Sequence, residues 1–436
     1  MLNLIVLGVT SIAAWFTGGQ SAEPLQPLEL LAWEESALFR TPEFTADLQS
    51  QKAVNNYLQN LTGAGLDRDR QGIWVQSGWD VAASNLGKML LPAASLTKIA
   101  TTLAALSTWG AEHQFSTNIY ITGEIDNGVV AGDLVIEGNG DPLFVWEEAI
   151  SLGNALNRLG VREIQGNILV TDKFYMNFVA KSLKAGELLQ QALNYNLWQP
   201  EVTQQYLQMP SGTKQPEVLT TGRVKKSDLV PANVRLLIRH RSLPLAEILR
   251  QMNIYSNNKM AQILADLVGG ADAVAQTSAE IAGFSIEEIE LINGSGLGEE
   301  NQISPRAVCQ MLMAINRLLE SADYSTADLF PTAGRDIVGT LQGRGLPTGT
   351  AIKTGTLDNV SALAGVISTS DRPNVYFSII NYGRPVNYLR QQQDGLLNEL
   401  VQPWQLEKRD FNLDQESSWY LGNPQLFNNI QLIALR

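Results

Sequence analysis

The sequence predicts a mixed α/β (α+β) fold: an antiparallel sheet covered by helices, with a hairpin-rich stretch in the middle of the chain. Three observations predict it. The near-continuous apolar runs "TAIKTGTLDNVSALAGVIST" and "NVYFSIINY" have the length and texture of successive strands buried on both faces. Helix-period segments accompany them at Thr45 to Thr62, Leu243 to Gly270 and Tyr388 to Val401. Between these, apolar and polar residues alternate around the turn Asp126-Asn127-Gly128, a hairpin signature.

In chain order, an apolar run from Leu2 to Phe16 is followed by the small, polar "TGGQSA" and a Pro-containing segment. Residues 1–22 therefore read as an export signal cut near Ala22, although no Lys or Arg precedes the run. The alternative is an uncleaved membrane anchor, for which the run is short against a span of ~20 residues. Either reading places the remainder in the periplasm or another extracytoplasmic space. A helix at Thr45 to Thr62 and a strand at Gly72 to Ser77 come next, then "LPAASLTKIATTLAALSTWG", Leu91 to Gly110, read as one central helix. Pro92 suits its start, and Ser95 and Lys98 share a face of its first turn. Hairpins, a helix from Val145 to Leu159 and a strand from Gly166 to Asp172 form a small α/β unit. Residues 173–234 show no clear period, whereas Leu243 to Gly270 reads as two helices joined near Tyr255. The tail from Gln405 reads as an appendage. There is no internal repeat.

A chain of 436 residues predicts two or three domains, or one domain carrying an insertion. With 44% apolar and 17% charged residues it can bury a core. The net charge of -13 excludes nucleic acid as a partner and requires a local cation wherever an anionic substrate binds. The single Cys309 excludes an internal disulfide, and with only His113 and His240 beside it there is no clustered zinc site. Neither histidine has a matching nucleophile signal, so both read as surface or loop residues.

Three short motifs carry chemistry. In "SLTK", the helix start favours negative charge developing on Ser95, and burial lowers the pKa of Lys98, so a neutral amine could serve as base for a serine nucleophile. The commonplace alternative is a lysine reaching solvent along an amphipathic helix. "YSNNK" places Ser256, Asn257 and Asn258 between two helices, where a plain helix cap is the alternative. "IKTGT" places Lys353, Thr354, Gly355 and Thr356 on a strand, where glycine permits close backbone approach; the alternative is an edge lysine that blocks aggregation.

Together, S-x-x-K, an S-x-N motif and K-T-G in this order form the signature of β-lactamases and penicillin-binding proteins. With "GDLVIEGNGDPLF", "NGSGLG" and "GRDIVGTLQGR", the chain resembles the class C low-molecular-mass penicillin-binding proteins, the D-alanyl-D-alanine carboxypeptidase/endopeptidase group, from about residue 91 to 400. The resemblance implies a three-layer β-lactamase/transpeptidase-like domain assembled from residues 30–115 and 236–404, an inserted domain at 116–235 and a tail at 405–436. It implies a penicillin-sensitive serine DD-peptidase acting on peptidoglycan stem peptides, with β-lactams as covalent inhibitors and no metal or organic cofactor. Ser95 would be the nucleophile and Lys98 its base. Ser256 would relay the proton, Asn258 would hold the substrate amide and orient Lys98, and Lys353 and Thr354 would bind the terminal carboxylate. The N–H groups of Ser95 and Thr356, beside Gly355, would form the oxyanion hole. Asn293 stands where the family usually has Asp, Gly298 where it commonly has Ser, and Trp198-Gln-Pro-Glu201 is a faint echo of the family's tryptophan-rich segment. A β-lactamase and a non-catalytic peptidoglycan-binding envelope protein are the competing functions.

Overall fold

The computed structural model describes residues 47–78, 80–336, 338–407 and 429–433, which belong to one compact unit. The apolar run read as an export signal or anchor lies outside these residues. Among the described residues no helix is long and apolar enough to cross a membrane.

Helix α1 (Leu48–Gly63), capped by the Asp47 carboxylate, leads into strands β1 (Gln71–Ser77) and β2 (Asp80–Asn85) and then helix α2 (Thr97–Trp109). The middle of the chain supplies β3 (Ser116–Ile121), β4 (Leu134–Gly138), α3 (Trp146–Arg158), β5 (Ile168–Val170), β6 (Val224–Lys226) and β7 (Arg235–Arg241). Helices α4 (Leu245–Ile254), α5 (Asn258–Val268) and α6 (Pro305–Glu320) follow. Strands β8 (Ala351–Leu357), β9 (Val360–Ile367) and β10 (Val375–Tyr382) precede helix α7 (Val386–Val401), and β11 (Ile430–Leu432) is the last described strand.

The five-stranded sheet has the order β8-β9-β10-β1-β2 and is antiparallel throughout. One face packs Ile73, Val75, Leu363, Phe377 and Ile379 against Leu58 and Leu61 of α1 and Leu389 and Leu396 of α7. The opposite face packs Trp74, Ala362, Ala364 and Ile380 into the core that contains α2, α4, α5 and α6. Burial on both faces is why the sequence shows apolar runs here instead of alternation. Helix α2 runs through that core with every residue from Thr97 to Leu106 buried.

The second sheet has the order β6-β5-β4-β3-β7-β11 and its own core, in which Ile119, Ile136, Ile168 and Leu237 pack on Leu152 and Leu156 of α3. The hairpin at Asp126-Asn127-Gly128 forms as its residues require, with φ of 49° at Asn127 and 86° at Gly128. Pairing from β4 through β5 to β6 is parallel. Two of those strands have three residues each, too few to print a period on the sequence.

Two expectations are corrected. The segment Leu91 to Gly110 is not one helix: Leu91–Pro92 pairs with Gln302–Ile303, Ala94 takes φ 46°, and a 3₁₀ turn at Ala94–Leu96 precedes α2. The strand ladder and the left-handed residue exclude a helix start at Pro92. His240 is not a surface residue either, because β7 turns it inward and it is fully buried.

Candidate active site

Ser95 lies on the 3₁₀ turn and Lys98 in the first turn of α2, three residues apart and so on one face. The Lys98 Nζ lies 3.0 Å from Ser95 Oγ, 2.7 Å from Asn258 Oδ1 and 2.7 Å from the Ser295 carbonyl oxygen. Its side chain is fully buried, so it does not reach solvent as the commonplace alternative requires. Lys353, also fully buried, donates from Nζ to Ser256 Oγ at 3.1 Å and to the Thr354 carbonyl at 2.9 Å. Hydrogen bonds therefore join Ser95, Lys98 and Asn258 in one set and Ser256 and Lys353 in another, with the two lysines in electrostatic reach of each other.

Among the described residues no carboxylate pairs with either amine. Burial lowers the Lys98 pKa to about 7. Burial, and then the charge of Lys98, hold Lys353 well below the ordinary lysine value. Both shifts favour the neutral amines over the ammonium forms.

Asn257 is the cap of α5, with its side chain accepting from the N–H groups of Lys259 and Met260. Capping and chemistry thus coexist: the middle residue of "SNN" caps the start of the helix while Ser256 and Asn258 turn to the lysines. Ser256 holds φ 51°, a left-handed conformation that costs a non-glycine residue about 1–3 kcal/mol. On β8, Gly355 is buried against the nucleophile turn. A Cβ there would lie 2.9 Å from the Ala93 carbonyl oxygen and 3.0 Å from the Ser95 nitrogen. Thr354 is buried, and Thr356 is exposed farther along the strand, accepting at Oγ1 from Arg390 Nη2 at 2.8 Å.

Sequence reasoning gave no role in the site to three contributors, although it noted Asn293 as a departure from the family pattern. The Ser295 carbonyl holds Lys98, a role no side-chain motif reveals. Asn293 holds that loop, its Oδ1 accepting from the N–H groups of Ser295, Gly296 and Leu297 and from the Ser295 hydroxyl. Arg390 comes from α7, whose helical period says nothing about β8. Among the described residues no group of His, Cys, Asp and Glu side chains could hold a metal ion.

Residues 51–182 and 212–400 match the model of the D-Ala-D-Ala carboxypeptidase 3 (S13) family. The chain belongs to this family. Within it and its neighbours, the chain is 28% identical over 174 residues to the carboxypeptidase DacB of Mycolicibacterium smegmatis, covering 35% of this chain and 37% of that one. It is also 28% identical over 165 residues to the D-alanyl-D-alanine carboxypeptidase DacB of Haemophilus influenzae, covering 34% and 33%. These alignments span about a third of the curated relatives' length. Among solved structures, the penicillin G-acylated Bd3459 predatory endopeptidase of Bdellovibrio bacteriovorus superposes with TM-score 0.68 at 21% identity, over 78% of this chain and 94% of that one. Penicillin binding protein 4 (dacB) of Haemophilus influenzae superposes with TM-score 0.62 at 19% identity, over 79% and 99%. The fold is the β-lactamase/transpeptidase-like one that these structures share. Trp198, the faint echo of the tryptophan-rich segment, donates to the Ala192 carbonyl at 3.1 Å and packs on Tyr206.

Proposed function

We propose that this chain is a serine DD-peptidase that cleaves the D-Ala-D-Ala bond, or the D-Ala-diamino acid cross-link, of peptidoglycan stem peptides through an acyl-enzyme on Ser95. The observation that carries the reading is the buried Lys98 amine, with a pKa near 7, 3.0 Å from the Ser95 hydroxyl. Once neutral, the amine keeps two N–H bonds to Asn258 and the Ser295 carbonyl and turns its lone pair to the Ser95 O–H. Lys98 takes that proton as Ser95 Oγ bonds to the substrate carbonyl carbon, and the carbonyl electron pair moves onto oxygen. The N–H groups of Ser95 and Thr356 receive this oxyanion, a contribution of about 3 kcal/mol per donor. The C–N bond then breaks, and the proton passes from Lys98 through the Ser256 hydroxyl to the leaving amine, leaving an ester on Ser95. Water hydrolyses the ester with Lys98 again as base. Asn258 also holds the substrate amide, and Lys353 and Thr354 bind the terminal carboxylate, whose approach draws a proton back onto Lys353.

Family membership and the penicillin-acylated relative support a β-lactam as covalent inhibitor. The substrate places the reaction outside the cytoplasm, in the periplasm or its equivalent, as an N-terminal export signal would require. The two sheets support the division into a catalytic body, 30–115 and 236–404, and an insertion at 116–235 whose sheet continues through β7. Labelled penicillin tests the reading. The adduct is expected on Ser95 and absent from Ser95→Ala; label elsewhere, or equal label on both, overturns it. D-alanine released from a pentapeptide, compared with cleavage of a cross-linked dimer, separates carboxypeptidase from endopeptidase action. Steady cephalosporin turnover would instead mark a β-lactamase, and absence of both activities a binding protein.

A further inference from the structure

Ser256 and Lys353 reach each other from separate elements, Ser256 just after α4 and Lys353 on β8. The stretch "GRDIVGTLQGR", which the catalytic steps leave without a role, touches the first and adjoins the second. Asp336 in that stretch is buried and divides its carboxylate between them. Its Oδ1 accepts from Arg250 Nη2 on α4 at 2.6 Å, and its Oδ2 accepts from the Thr332 N–H at 2.7 Å. Thr332 in turn pairs with Ala351 at the start of β8, and the Ile352 N–H donates to the neighbouring Pro331 carbonyl at 2.8 Å. A continuous line of contacts thus joins α4 to the residue before Lys353.

The same stretch meets the end of α4 a second time. Thr340 Oγ1 donates to the Ile254 carbonyl at 3.4 Å, and Gly339 takes φ 68° where a Cβ would lie 2.4 Å from that oxygen. Ser256, two residues on, keeps φ 51°, a conformation that persists in a non-glycine residue only where its surroundings impose it. The Arg250–Asp336 pair is dry, with side chains 11% and 4% exposed. The second arm of Arg250, Nη1, donates to the Ala327 carbonyl at 3.3 Å, which fixes the plane of the guanidinium. A buried ion pair contributes little net stability but sets direction, because each partner is costly to leave uncompensated.

We infer that Asp336 and Arg250 are positioning residues that hold Ser256 Oγ against Lys353 Nζ, so that Ser256 hands its proton to the leaving amine as the C–N bond breaks. The inference rests on the proposed peptidase site. In peptide cleavage the departing nitrogen gains the proton of the Ser256 hydroxyl, which the proton taken from Ser95 by Lys98 restores. A thioester with the same acyl part breaks a C–S bond instead and releases a thiolate, which needs no proton. A misplaced Ser256 therefore penalises the peptide and largely spares the thioester.

The test compares kcat/KM, which reports the steps through acylation, for an acyl-D-Ala-D-Ala peptide and for the thioester in which a mercapto acid replaces the terminal D-alanine. Asp336→Asn sets an amide N–H against one of the two donors and is expected to slow the peptide by about 10- to 100-fold, part of what a positioned acid supplies, and the thioester by only a few-fold. Arg250→Lys keeps the charge without the fork and is expected to lower the peptide-to-thioester ratio less; it decides the matter should Asp336→Asn fail to fold. Ser256→Ala sets the floor of that ratio, and adding either substitution to it is expected to lower the ratio no further. A fall in Tm with an unchanged ratio would make the pair structural only, and a further loss in the double variant would place its action elsewhere; either overturns the inference. A wild type inactive on both substrates would sink the peptidase reading, while wild-type turnover of both with a ratio that neither substitution moves would sink this inference alone.

Discussion

At the scale of single residues, the site is two buried amines without a buried acid. That arrangement costs stability, since unfolding lets Lys98 regain its proton at any pH between its native value near 7 and the ordinary 10.5. The unfolded chain binds more protons over that window, so this cost eases as pH rises through it. The same depressed value makes Lys98 a base at neutral pH. Penicillin acylation should therefore rise with pH through about 7 and then level, as the amine loses its proton. Lys98→Ala should slow acylation by about 10²- to 10⁴-fold and remove that limb, measured by stopped-flow labelling across pH. A limb near 7 that survives in Lys98→Ala would assign it to another group.

At the scale of elements, the nucleophile turn is gripped from both sides by backbone. Gly355 presses on it from β8, and a Cβ at Gly296 would lie 1.8 Å from the Ala94 carbonyl oxygen, where φ is also 81°. Gly355→Ala should leave the far-UV circular dichroism intact while slowing acylation about 10-fold or more, because its Cβ would push on the Ser95 backbone nitrogen from 3.0 Å and shift the nucleophile. Asn293→Ala, which strips four donors of their common acceptor, should lower Tm and acylation together. Asn293→Asp keeps that acceptor but sets a carboxylate oxygen against the Leu297 carbonyl to which the amide donates at 2.7 Å, and should lower labelling less than Asn293→Ala does. What the sequence made legible follows the same divide. "SLTK" and "IKTGT" could be read because their spacing alone decides which side chains share a face. The helices on either side of Tyr255 and the three strands from Ala351 to Tyr382 could be read because burial prints a pattern. The 3₁₀ turn at Ala94–Leu96, the Ser295 carbonyl and the Arg390–Thr356 contact could not. Each depends on an element distant in sequence: Gln302–Ile303, the loop after Gly294, and α7 lying beside β8.

At the scale of the whole molecule, the second sheet holds a buried polar cluster outside the catalytic motifs. His240 Nε2 lies 2.6 Å from Glu148 Oε2, which also accepts from Asn429 Nδ2 at 2.9 Å. Burial would lower the His240 pKa, but the hydrogen bond and charge of Glu148, then Asp141, raise it overall. Burial raises Asp141 to about 6. Both native values exceed their unfolded ones, so both contributions are complete at lower pH and fade as pH rises through the native values. The Tm gap between wild type and Glu148→Gln should be widest below the ordinary histidine value of 6.5 and narrow as pH rises above it; a gap that widens would contradict the charge assignment. The residue that completes this cluster, Asn429, also delivers β11 to the rim of the sheet, where Ile430 to Leu432 pair with β7 and the Asn429 carbonyl accepts from Arg241. The protein thus carries its own edge guard. A chain cut after Glu407 would present the backbone of β7 as an open template, and size-exclusion chromatography should show it joining other molecules through that rim while its penicillin labelling continues.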